Sequence, residues 1–138
     1  MTTGSKDNLL RSPILPNKGA AGIKIGTGIS TVQKRWGDPA QVEQIRSDHL
    51  YWSYEAVWFW FKGGKVDQIG LYKGYAGQTP KGIGIGSARK EVEAAYGPLE
   101  WDGCWLINQP PFGIAFDFDT DKFSWGKGQV TGVYVFRE

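Results

Sequence analysis

One pattern occurs twice in this chain. The segment opening at Gly22, GIKIGTGISTVQKRWGDP, returns from Gly82 as GIGIGSARKEVEAAYGPL, 60 positions later. Ile23 aligns with Ile83, Ile25 with Ile85, Gly26 with Gly86 and Thr27 with Ser87. Val32, Trp36 and Gly37 then align with Val92, Tyr96 and Gly97. A period this long belongs to a copied supersecondary unit, which buries its apolar face against its neighbour. The expected organisation is a flexible N-terminal lead-in (1–21), a first αβ repeat (22–80) and a second αβ repeat (81–138), closing over one interior.

Within each copy, Thr27 or Ser87 stands where a helix N-cap belongs, since a hydroxyl there accepts from an unpaired N–H of the first turn. Ser30 competes for that role in the first copy. Val32 with Trp36, and Val92 with Tyr96, are four residues apart and share a helix face. Gly37 and Gly97 suit a left-handed stop, and Pro39 and Pro98 prevent resumption. Helices this short need a sheet beneath them. Strands read from LYWSY, AVWFWFK and KVDQIGLYK, with Gly63-Gly64 as a hairpin turn, and from WDGCWLIN, FGIAFDFD and QVTGVYVFR, with TDKFSWGKG as a longer connection. The predicted fold class is α+β: a short helix and three antiparallel strands, twice, in one antiparallel sheet with the helices on one face.

Comparing the copies sorts the faces. Val57, Phe59 and Phe61 match Ile114, Phe116 and Phe118, so this side is expected beneath the helices. Strands alternate faces, so Trp58 and Trp60, matched by Ala115 and Asp117, point the other way. Ile69 and Leu71 match Val133 and Val135, leaving Gly70 and Tyr72 opposite Tyr134 and Phe136. The candidate partner-binding residues are therefore Trp58, Trp60, Tyr72, Tyr134 and Phe136. A contiguous apolar patch of this kind marks an interaction surface unless something covers it. The candidates for a cover are the N-terminal segment, the TDKFSWGKG connection or a second copy of the chain.

Composition narrows the function. With a net charge of +2 and no block of Lys or Arg, nucleic acid is not expected as a partner. A single cysteine rules out an intrachain disulfide. No apolar run is long enough to span a bilayer, and the first residues lack the apolar stretch of a secretory signal. As written, the sequence reads as cytoplasmic; with a leader removed, the cell envelope or the exterior would be expected. Asp117, Asp119 and Asp121 have the opening spacing of a calcium loop. Lys122 replaces its glycine and Gly128 its closing glutamate, so the run reads as an acidic strand end and turn. GIGIG and GIKIGTG match no phosphate loop, and Arg89 stands where a dinucleotide fingerprint needs glycine. His49 and Cys104, each the only one of its type, come with no orienting group or oxyanion site. Cys104 reads as structural and His49 as a surface residue. Arg89, Lys90, Glu91 and Glu93 read as a solvated helix face. No catalytic, metal or cofactor residue emerges, and an enzyme is not expected.

The sequence G-I-x-I-G-[S/T], a short helix closing in Trp36-Gly37 or Tyr96-Gly97, and aromatic-rich strands resemble the β-lactamase-inhibitor-protein-like fold from about Gly22 to Phe136. Related repeats occur in small outer-membrane assembly lipoproteins of the BamE/SmpA type. The resemblance implies a non-catalytic tandem module that offers an aromatic sheet face to a protein partner. The chain lacks the inhibitor's paired cysteines and a lipobox cysteine near its start, so lactamase inhibition does not carry over, and lipid anchoring would hold only for a fuller precursor. Carbohydrate or small-ligand binding, and self-association into a homodimer through the same face, stand as alternatives.

Overall fold

The sequence folds around a sheet whose strand order mirrors itself about the centre. A computed structural model describes residues 7–119 and 128–137. Among them lie β1 (Gly19–Ala20), β2 (Ile23–Lys24), α1 (Ile29–Trp36), β3 (Gln41–Arg46), β4 (His49–Ser53), β5 (Val57–Lys62) and β6 (Lys65–Leu71). There follow α2 (Arg89–Tyr96), β7 (Leu99–Trp101), β8 (Trp105–Ile107), β9 (Ile114–Phe118) and β10 (Val130–Phe136). β1 and β2 form a small ribbon; the other eight strands form one sheet in the order β3-β4-β5-β6-β10-β9-β8-β7. Every pairing is antiparallel, and the two runs of four meet at β6–β10, where Leu71 faces Val133 and Ile69 faces Val135. The α+β class with a large antiparallel sheet and short helices is the one expected.

The strand count is not. Each helix is followed by four strands, not three. β3 is an edge strand whose residues are all exposed, so no burial period marks it. WDGCWLIN contains its own turn, with Gly103 at φ +76° and the Asp102 N–H donating to the Cys104 carbonyl at 2.9 Å. Asp-Gly is a favoured hairpin turn, and it splits the run into β7 and β8.

The helix starts also differ from expectation. The N-caps are Gly28 and Ala88, one residue beyond the hydroxyls, and neither has a side-chain cap. The first helical N–H groups are satisfied from the sheet instead: Ile29 donates to the Gly64 carbonyl at 3.0 Å and Arg89 to that of Gly128 at 3.1 Å. The carbonyls of Thr27 and Ser87 accept from Val66 and Val130 at 2.8 and 2.9 Å, so both residues tie helix to hairpin through their backbones. The Ser87 hydroxyl accepts from Gly84 N–H at 3.0 Å, and Glu91 accepts from Ala88 N–H at 2.8 Å. Gly37 and Gly97 end the helices at φ +78° and +85° with ψ near 180°, a region essentially reserved for glycine.

Beneath the helices, Val32, Trp36, Val92 and Tyr96 meet Val57, Phe59, Phe61, Ile69, Leu71, Ile114, Phe116, Val133 and Val135, all buried. The Trp36 ring lies 5.1 Å from Tyr54 and 5.8 Å from Phe59. Full burial of one such side chain contributes about 1.5–3 kcal/mol. Bulges keep this side apolar: the register shifts at Asp67, between Phe61↔Val66 and Trp60↔Gln68, and at Thr131, between Phe118↔Val130 and Asp117↔Gly132. An extra residue resets the alternation, so Val66 and Ile69 are both buried although three positions apart.

The described part of the lead-in is packed, not flexible. Ile14 is 0% exposed, and the Tyr75 hydroxyl donates to the Ser12 carbonyl and accepts from Ala21 N–H at 2.9 Å. Trp36 Nε1–H donates to the Ala21 carbonyl at 3.0 Å, which fixes the segment beside α1, on the helix side of the sheet. Among the described residues, no helix is long and apolar enough to cross a membrane.

Candidate functional site

On the face away from the helices, register sets a row of facing residues: Ser53, Trp58, Gly70, Tyr134 and Ala115. The adjacent row carries Tyr51, Trp60, Gln68 and Phe136. Tyr72 follows Leu71 at the end of β6. The rings gather into a cluster around Gly70. Trp58 lies 5.8 Å from Trp60 and 5.7 Å from Tyr72, while Tyr134 lies 6.4 Å from Trp60 and 5.9 Å from Tyr72. Tyr51 stacks on Trp58 at 4.9 Å with planes 6° apart. All five are half-buried.

Gly70 makes this arrangement possible. A Cβ there would meet Trp60 Cζ3 at 2.8 Å and Tyr72 Oη at 2.9 Å, so both side chains reach across the bare backbone. Gly132 plays a similar part beneath the Tyr134 hydroxyl, at 3.2 Å. That hydroxyl donates to Asp117 Oδ2 at 2.7 Å and is also hydrogen-bonded to Tyr72. Burial first, then these hydrogen bonds, pushes the Tyr134 phenol far above its ordinary range; burial raises Tyr72 as well. On the outer side, Tyr51 donates to Glu43 at 2.8 Å, which raises its phenol too. The phenols thus stay neutral at ordinary pH, and a carboxylate stands at each end of the cluster.

The structure brings together four of the five expected residues, Trp58, Trp60, Tyr72 and Tyr134. Phe136 is half-buried on the same face beside Gln68 and, among the described residues, makes no ring pair with the four. Tyr51, Glu43 and the rim position of Asp117 were not anticipated. Alternation from the buried Trp52 places Tyr51 on the open face, and its pairing with Trp60 follows from the β4–β5 hairpin. The described N-terminal residues, the first candidate cover, are tied by hydrogen bonds to Trp36, Tyr75, Ala76 and Gln78. Of the TDKFSWGKG connection, residues 120–127 lie outside the described residues, as does Asp121.

The other candidates separate. His49 begins β4 and pairs with Asp48 at 2.9 Å, while Cys104 lies in the β7–β8 turn toward the opposite sheet edge. Burial, then the charges of Asp117 and Asp102, pushes the Cys104 thiol up, away from the nucleophilic thiolate. Asp119 accepts from Gln129 N–H at 2.8 Å, and the described residues include no group of three potential metal ligands. Arg89 is not solvated: it is 7% exposed and stacks 4.1 Å over Trp105 and 5.3 Å over Phe118, with Glu93 at 3.6 Å. Trp105 pairs in turn with Trp101, which is 61% exposed on edge strand β7.

No protein-family model matches the chain, and comparison with curated proteins gives no match. Among solved structures it is similar to an extracellular protein containing an SCP domain from Bacillus anthracis str. Ames, with 18% identity and a TM-score of 0.59 over 83% of this chain and 44% of that one. It is similar to a cysteine-rich secretory protein from Staphylococcus aureus subsp. aureus Mu50, with 13% identity and a TM-score of 0.56 over 93% of this chain and 49% of that one. It also matches yfeY from Escherichia coli, with 11% identity and a TM-score of 0.65 over 91% of this chain and 100% of that one. The chain thus spans less than half the length of the first two. Such identities show a shared fold alone. They overturn the resemblance to β-lactamase-inhibitor-like proteins and BamE/SmpA lipoproteins: the similar structures include an SCP-domain protein, a cysteine-rich secretory protein and yfeY.

Proposed function

We propose that the chain is a non-catalytic binding module that docks a protein partner on the open sheet face centred on Trp58, Trp60, Tyr72 and Tyr134, with Phe136 on its flank. The ring cluster carries this reading. Four large side chains gather where core packing does not require them, and Trp and Tyr are the preferred anchors of interfaces. Proposed with it is that the two runs of four strands are copies of one unit. In support, both helices are seated by equivalent hydrogen bonds, and both runs carry a bulge at the matching place. Their buried sides match, while their open faces differ at Trp58 against Ala115 and Trp60 against Asp117. A duplication serving stability alone would not need that difference.

The test compares the wild type, Trp58→Ala/Trp60→Ala, and Trp101→Ala as an exposed aromatic control elsewhere. Anchor truncation typically costs about 2 kcal/mol, roughly thirtyfold in affinity. A protein bound by the wild type and by Trp101→Ala but lost from the double variant supports the reading. Equal binding by all three overturns it, and so does unfolding of the double variant, which would make the rings structural. Sedimentation at low micromolar concentration identifies the partner as a second copy if the wild type and Trp101→Ala dimerise and the double variant does not.

A further inference from the structure

We infer that the four rings around Gly70 receive an arginine side chain of the partner protein, with Asp117 as its counter-charge; the inference rests on the binding face proposed above. Trp58, Trp60, Tyr134 and Tyr72 form a closed circuit with sides of 5.8, 6.4, 5.9 and 5.7 Å. A group above the centre of a square that size stands about 4–5 Å from every ring centroid, within the ~6 Å range of cation–π attraction. Neighbouring rings meet at 39°, 60°, 77° and 66°, so they are tilted walls, not the single flat platform on which a sugar ring stacks. The edge of Trp60 and the Tyr72 hydroxyl reach over Gly70 and form the floor, so the guanidinium would lie above them.

Charge selects the occupant. The Tyr134 hydroxyl holds the Asp117 carboxylate at 2.7 Å on one rim, and Glu43 stands beyond Tyr51 on the other side. Lys62, two positions past Trp60 on the same strand face, lies in a register row with Arg46, His49 and Lys65, which gathers these basic residues at the end of the sheet away from Asp117. A neutral apolar side chain over the rings would strip water from Asp117 and leave it the Tyr134 hydroxyl but no counter-charge, which is costly. A guanidinium stacks on aromatic faces and pairs with carboxylates, and an ammonium does the first less well.

The experiment follows the indole N–H resonances of Trp58 and Trp60 in the ¹⁵N-labelled chain, assigned with Trp58→Phe and Trp60→Phe. Nα-acetyl-arginine amide is titrated against its neutral isostere, Nα-acetyl-citrulline amide. The arginine probe is expected to move both indoles with a dissociation constant on the order of 10 mM, and the citrulline probe to bind at least about tenfold more weakly. Asp117→Asn should remove at least about two-thirds of that preference. Raising the salt to about 0.5 M should reduce it in the unmodified chain, a readout that needs no variant to fold. Equal binding of the two probes, or a preference indifferent to both Asp117→Asn and salt, overturns the charge assignment while leaving the face a binding surface. Indoles unmoved by arginine, in a chain whose partner is still lost from Trp58→Ala/Trp60→Ala, overturn the arginine site alone. A partner retained by that double variant removes the docking face, and the arginine site with it.

Discussion

Adding one methyl group at Gly70 tests directly whether the rings lie across the strand. The new Cβ would stand 2.8 Å from Trp60 Cζ3, 3.1 Å from Trp60 Cη2 and 2.9 Å from Tyr72 Oη. Carbon atoms pack at about 3.5–4.0 Å, so the Trp60 ring must lift by roughly half an ångström to one ångström. The backbone itself is no obstacle, because Gly70 is not among the positive-φ residues. At such a site Gly→Ala gains about 0.4–1 kcal/mol by restricting the unfolded chain, whereas overpacking costs about 1–3 kcal/mol. The obstructing atoms are the tips of half-exposed side chains, which puts the overpacking near the low end. A net loss of no more than about 0.6 kcal/mol is expected, lowering the melting temperature by at most roughly 3 °C. Near-UV circular dichroism should change far more than the stability, because Trp58 and Trp60 lie 5.8 Å apart and their transitions couple. A contrasting control is Gly113→Ala, whose Cβ would meet Asn17 Cα and the Phe136 carbonyl at 2.5 Å from a φ of +84°, a backbone collision expected to exceed about 3 kcal/mol. If Gly70→Ala stabilises the chain and leaves the near-UV spectrum unchanged, Trp60 does not cover Gly70 and the enclosure does not exist.

Two further outcomes follow from the two sides of the sheet. Phe59→Ala, at a position 0% exposed and 5.8 Å from both Trp36 and Tyr54, should cost about 3–5 kcal/mol in urea unfolding; an equal cost for Trp58→Ala would refute the assignment of faces. Burial pushes the Tyr75 phenol up to about 12, and burial helped by Asp38 does the same for Tyr54, against an ordinary value of 10.0. The unfolded chain therefore ionises first: stability is full below pH 10 and is lost as the pH rises toward 12. Tyr75→Phe should make that alkaline decline shallower while costing about 1–3 kcal/mol at neutral pH, where Ala21 N–H loses its acceptor; an unchanged alkaline slope would refute the assignment.

Alternation made the sheet legible wherever one side is buried. Val57, Phe59 and Phe61 against Trp58 and Trp60 is a period of two with unmistakable contrast, and the second copy calibrates it. β3 has no such contrast, since QVEQIR is exposed along its whole length. β7 and β8 are three residues each, shorter than any window that reveals a period. The helix starts misled because their donors find acceptors in a distant hairpin, a tertiary solution that removes the need for a hydroxyl cap. Arg89 misled for a related reason: its environment, Trp105 and Phe118, comes from strands far along the chain. In the site, the rings were readable and the bare backbone they cross was not, because a glycine within a strand reads only as a weak position. The family resemblance failed on the same kind of residue. Glycines and helix stops specify local turns, and unrelated folds share those turns.

The cluster sits on the seam between the two runs of strands, and this explains why their open faces differ. Trp58 and Trp60 come from β5, Tyr72 from the end of β6, and Tyr134 from β10. Gly70 faces Trp58 on one side and Tyr134 on the other, so the floor belongs to the first run and one wall to the second. On the proposed equivalence of the runs, Gly70 and Tyr134 occupy the same position in each copy. Those two positions also face one another directly across the β6–β10 junction. Identical residues there would give either two glycines, with a floor but no fourth wall, or two tyrosines, with a Cβ and a ring where Trp60 and Tyr72 now reach across. Only unlike residues give both a bare backbone beneath the floor and a closing ring. The same holds for Trp60 and Asp117: one supplies a wall, the other the charge at the rim. Asymmetry between the copies is therefore a geometric condition for the enclosure, and neither run could build it from its own strands.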